Sequence, residues 1–110
     1  MTENAEALTA RPADMVPVAV GAFEEVWRSR GHFPALLNVI TTKASVEAET
    51  RLSDVPERDS TEALTVAWGV VWRSLERLML EHGYLPDTIR RLIAESAKQV
   101  RHVAESDGDS

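Results

Sequence analysis

Cysteine is absent from this chain of 110 residues, which excludes disulfides, thiolate nucleophiles and Cys-ligated zinc or iron–sulfur sites together. A cytoplasmic setting is the simplest expectation. Aromatic residues are scarce at 5%, and the apolar complement is mostly aliphatic residues and alanine, a bias toward helix over sheet. No apolar run approaches the roughly 20 residues needed to span a bilayer. The opening "MTENAEALTARPAD" lacks the basic region and apolar core of a signal peptide. The expectation is a soluble protein with no membrane partner.

The short catalytic motifs are missing as well. There is no Gly-x-Ser-x-Gly elbow, phosphate loop or dinucleotide fingerprint. His32, His82 and His102 form no His-x-x-x-His or Glu-x-x-His pair, so neither a zincin helix nor a di-iron bundle is expected. Glu24, Glu25, Glu47, Glu49, Glu62, Glu76 and Glu81 are scattered and read as solvated faces. These absences point away from an enzyme and imply no cofactor and no metal.

What is present is helical periodicity. With 44% apolar residues the chain has enough core for one globular domain. Residues 1–12 show no periodicity and are expected to be a disordered arm; 106–110 form an acidic tail expected to be disordered; 13–105 hold a single helical domain. Four amphipathic segments are predicted within it: about 14–30, 34–52, 60–82 and 86–104. Asp14 is the expected cap of the first. Pro34 and Pro86 open the second and fourth, and Asp59 with Glu62 offers a capping box for the third. The third segment is the most apolar and is expected to be central. The predicted fold is an all-α four-helix bundle made of two helical hairpins.

Two recurrences mark those hairpins. "VWRS" occurs at Val26–Ser29 and again at Val71–Ser74, and Gly31-His32-Phe33-Pro34 is matched by Gly83-Tyr84-Leu85-Pro86. In each corner the glycine can end a helix in the left-handed conformation, the next residues can pack back, and proline starts the next helix. Ser29 lies two residues before its glycine and Ser74 nine before. That difference of seven is about two helical turns, so the second copy keeps its facing to within roughly 20°. The pattern is either an internal duplication or a chance return of four letters in helical sequence.

Three features are candidates for binding. Trp27 and Trp72 sit at matching edges of their apolar faces, where tryptophan serves either as a partner anchor or as packing at the core's rim. With His82 they could line a small-molecule pocket, although a histidine near a helix end more commonly bonds a terminal carbonyl. Val39 and Val46 on the second helix, and Val66, Val70 and Leu80 on the third, lie outside the main stripes. Apolar residues on two faces suggest burial against another subunit or partner. Gly69, mid-helix, suggests a close helix crossing.

Charge is the third. The chain carries −6 overall, yet 88–104, with Arg90, Arg91, Lys98 and Arg101 against Glu95, carries +3 and the remainder −9. Overall acidity opposes generic nucleic-acid binding. The fourth segment with Thr88, Arg90 and Arg91 still resembles the second helix of a helix-turn-helix in outline; the alternative is a basic stripe answering acidic neighbours. The primary expectation is a protein–protein interaction module, a homodimer acting as regulator, inhibitor or assembly factor. The alternative is a DNA-binding regulator reading through the fourth helix.

Overall fold

The computed structural model describes residues 9–30 and 34–109, with side chains described for 9–30 and 35–104. Its helices are α1 (Val16–Ser29), α2 (Pro34–Leu52), α3 (Ser60–Glu81) and α4 (Pro86–Asp109), with a 3-10 turn at Pro12–Met15 leading into α1. The chain is an all-α bundle of four helices. The expected bounds of α2 and α3 agree closely, while α4 continues to Asp109 through the stretch expected to be a disordered tail.

The start of the chain also differs from expectation. Thr9–Ala10 (β1) pairs antiparallel with Arg58–Asp59 (β2), Thr9 opposite Asp59 and Ala10 opposite Arg58. The Arg11 guanidinium donates to the Ser53 carbonyl at 2.8 Å, and the Thr9 hydroxyl donates to Glu57 at 3.2 Å. Pro12 is fully buried, and its turn packs on α1, α2 and α3. Residues 9–12 are thus pinned across the α2–α3 connection by partners more than forty positions away, a contact that leaves no local periodicity to read. Residues 1–8 of the expected arm lie outside the described residues.

Several helix ends have a local cause, but Asp14 does not cap α1: it lies within the preceding 3-10 turn, and α1 starts after Met15 with no side-chain cap. Asp59 caps α3, its Oδ1 accepting from the backbone N–H groups of Thr61 at 2.9 Å and Glu62 at 3.4 Å. The other half of the expected capping box is used differently: the Glu62 carboxylate lies 3.6 Å from the Arg58 guanidinium. Gly83, at φ +90°, ends α3 in a Schellman arrangement. The Tyr84 N–H reaches the Met79 carbonyl at 3.0 Å and the Gly83 N–H reaches Leu80 at 3.1 Å. The matching corner of the expected duplication, with Gly31, His32 and Phe33, lies outside the described residues.

α1 and α3 each pack against the other three helices, whereas α2 and α4 pack chiefly on that pair, with no extensive contact between them among the described residues. The two flanking helices therefore stand on opposite sides of a central pair. Glu25 on α1 and Arg30, the residue at that helix's C-cap, meet Gln99 and Glu95 on α4 in reverse order, so these helices run antiparallel. Phe23, Trp27, Leu37, Ile40, Leu64, Val71, Leu75, Leu78, Met79 and Ile89 form the fully buried centre. Three hydroxyls join it, and two serve the helix backbone. Thr41 donates to Leu37 at 2.8 Å and Ser96 to Leu92 at 2.6 Å, which satisfies the buried polar atoms within their own helices.

Candidate interaction surfaces

α2 buries Leu37, Ile40, Ala44, Ala48 and Leu52 on one side. Val39 and Val46, one heptad apart, stand on the other at 43% and 59% exposure, and Leu80 of α3 is 50% exposed. Arg77 clamps the α2–α3 seam by pairing with Glu47, the neighbour of Val46, and with Glu81 at 2.9 Å. Leu80 follows Arg77 by one turn. Val66 and Val70, expected on the same outer face, are only half-buried and pack against the edge of the core. The five aliphatic residues thus divide into three turned to solvent and two that extend the interior.

The tryptophans separate more sharply. Trp27 is fully buried, tilted against Phe23 with ring centroids 5.6 Å apart and edge-on to Tyr84 at 5.5 Å. Its place is the core, which corrects the expectation of an interface anchor: α1 is packed on by every other helix, so even the rim of its apolar arc is enclosed. Trp72 is half-buried, with the Arg73 guanidinium 5.8 Å from its ring centroid. The two indoles present no matching edges. His82 is exposed and its Nδ1 meets the Leu78 carbonyl at 2.9 Å, the helix-end role that its position suggested.

Gly69 also departs from expectation. A Cβ built there would meet nothing within 4 Å, so among the described residues no helix crosses close to it.

The basic residues of α4 do face outward together. Arg90, Arg91, Lys98 and Arg101 are all exposed. Arg90 is tied to Asp87 at 2.8 Å, while Arg91, Lys98 and Arg101 have no ion pair among the described residues. Where α1 ends against the start of α4, Arg30, Thr88, Arg91 and Leu92 line an open cleft of about 210 Å³. Arg30 is paired with Glu95, whereas Arg91 has no ion pair among the described residues. Arg30 gave no signal in the sequence, because its place is set by the docking of α1 on α4.

Among the described residues no three His, Asp or Glu side chains gather to hold a metal ion, and no helix is long and apolar enough to cross a membrane. Titration is displaced at two places, the Glu47–Arg77 pair, where the guanidinium is raised chiefly by its hydrogen bond to Glu47, and the Tyr84 phenol. The Arg77 guanidinium, donating to Glu47, holds that carboxyl below the usual range; burial opposes this, and the Ser74 hydroxyl and the charge of Arg51 assist it. Burial raises the Tyr84 phenol. Both belong to packing contacts rather than to a cleft. Compared with models of protein families, with curated proteins and with solved structures, the chain matches none.

Proposed function

We propose that the protein is a non-catalytic interaction module that pairs with a second copy of itself through the outer face of α2 and serves as a regulator, inhibitor or assembly factor. The observation that carries this reading is the exposed pair Val39 and Val46 on the side of α2 opposite its buried stripe. Aliphatic residues seven apart return to the same facing. A two-fold antiparallel contact between α2 helices can therefore set Val39 of each copy against Val46 of the other, the self-complementary arrangement that a symmetric dimer needs. Leu80 on the adjoining helix extends the apolar area. The acids of the chain support a non-catalytic role, since Glu25, Glu47, Glu62, Glu81, Asp87 and Glu95 are occupied by polar or cationic neighbours.

Sedimentation over a concentration series tests this. The native chain should show a reversible monomer–dimer equilibrium, and Val39→Asp with Val46→Asp should return it to monomer without loss of helical circular dichroism, because both sites are solvent-facing. A native chain that sediments as a monomer at every concentration overturns the proposal.

A further inference from the structure

The outward side of α4 supports a second inference, independent of the α2 face. Arg91, Lys98 and Arg101 are exposed, with the exposed Ala94 between them. Their spacings of three and four residues keep the row on one side of the helix over about 15 Å. Unlike Arg90 and Arg30, which Asp87 and Glu95 neutralise, these three cations have no ion pair among the described residues. The row is continuous with the cleft through Arg91. That cleft, about 210 Å³ in volume, combines the Arg91 guanidinium, the Thr88 hydroxyl and the apolar wall of Leu92, which together suit one side chain ending in a carboxylate.

The surroundings decide which anion fits. A helix lying in the major groove of DNA, about 12 Å wide, has a phosphate strand on each side. On the α1 side of this row stand Glu95 and Glu25, bound to Arg30 and Gln99, and the chain outside 88–104 carries −9. Carboxylates facing a phosphate strand oppose association. A single extended or helical peptide carries no second charged strand to meet Glu25, and it meets Glu95 where Arg30 already neutralises that carboxylate.

We infer that the outward row of α4 docks an acidic polypeptide segment of a protein partner, with one carboxylate seated in the cleft between Arg91 and Thr88. Arg91 binds that carboxylate, Thr88 donates its hydroxyl, and Lys98 and Arg101 answer acidic residues further along the segment.

Fluorescence anisotropy with the full chain tests this with three probes. One is a labelled peptide of about 14 residues rich in glutamate, alanine and leucine, long enough as a helix to cover the row; the second has lysine in place of glutamate, and the third is a short DNA duplex. The glutamate peptide should bind saturably and more weakly as salt rises, while the lysine peptide does not bind. Arg91→Glu alone, or Lys98→Glu with Arg101→Glu, should weaken binding about tenfold or more, whereas Arg51→Glu at the end of α2, a charge reversal at an exposed site elsewhere, should leave it within about twofold. Absence of saturable binding overturns the inference, as does equal loss on Arg51→Glu. Tighter binding to the duplex, weakened by the α4 variants, also overturns it and assigns the row to nucleic acid. The Val39→Asp, Val46→Asp monomer should bind the glutamate peptide unchanged, so failure of self-association and failure of this docking are read separately.

Discussion

The Trp27 and Tyr84 rings meet at 64° with centroids 5.5 Å apart, which joins the last turn of α1 to the corner between α3 and α4. Tyr84 is also the residue whose N–H closes the Schellman cap of α3 on Met79. One residue thus both ends a helix and seals the aromatic end of the core.

Tyr84 is the single tyrosine of the chain, so its ionisation can be followed alone. Burial favours the neutral phenol and raises its pKa in the folded state. The stability this contributes is fully present below the unfolded value of about 10 and is lost as pH rises through the folded value. Absorbance at the phenolate band should therefore rise at a pH above that of a free tyrosine. Tyr84→Phe should remove that alkaline transition; titration at the free-tyrosine pH would contradict the enclosure.

Trp27 and Trp72 should differ in denaturant unfolding. Emptying a fully buried tryptophan site costs about 3–5 kcal/mol, a large part of the total stability of a small domain, so Trp27→Ala should lower the urea midpoint steeply. Trp72→Ala, at a half-buried site, should cost about 1 kcal/mol. Equal losses would mean that the two rings share one environment after all.

Gly69 lies in the middle of α3 with nothing within 4 Å of where a Cβ would stand. Replacing such a helical glycine with alanine stabilises a folded chain by about 0.5–1 kcal/mol. Gly69→Ala should raise the urea midpoint accordingly at concentrations where the chain is monomeric. A decrease there would show that the backbone at Gly69 is approached within the chain.

Acid should weaken the α2–α3 seam. The Glu47 carboxyl is lowered chiefly by the Arg77 guanidinium, so its contribution is present above the unfolded value of about 4.3 and is lost as pH falls through the folded value. Glu47→Gln should flatten this part of the acid limb of a stability–pH curve while leaving the alkaline limb in place. An unchanged acid limb would show that the pair contributes nothing to folding, as many exposed pairs do.

Local chemistry made much of the bundle legible in the sequence. Pro34, Pro86, Asp59 and Gly83 act within a turn of where they stand, and the helix boundaries follow from them. What depended on distant packing was hidden. Trp27 sits at the edge of a helical wheel, but the wheel cannot say that α1 has neighbours on every side of its apolar arc. Residues 9–12 have no periodicity because a strand pair across the α2–α3 connection, not a helix, holds them. Val66 and Val70 look like a second face until core packing draws them inward. Val39, Val46 and the α4 cations were readable because their role in the monomer is simply to face water, which a period of 3.6 residues assigns directly.

The placement of α2 and α4 on opposite sides of the α1–α3 pair has a consequence for how the molecule can be held. Its two lateral helices expose unlike side chains, one Val39 and Val46 and the other a row of cations, separated by the thickness of the central pair. Occupation of one flank leaves the other open. A dimer joined back to back through α2 would display two cationic flanks pointing away from each other, the geometry of a bivalent clip rather than of a plug.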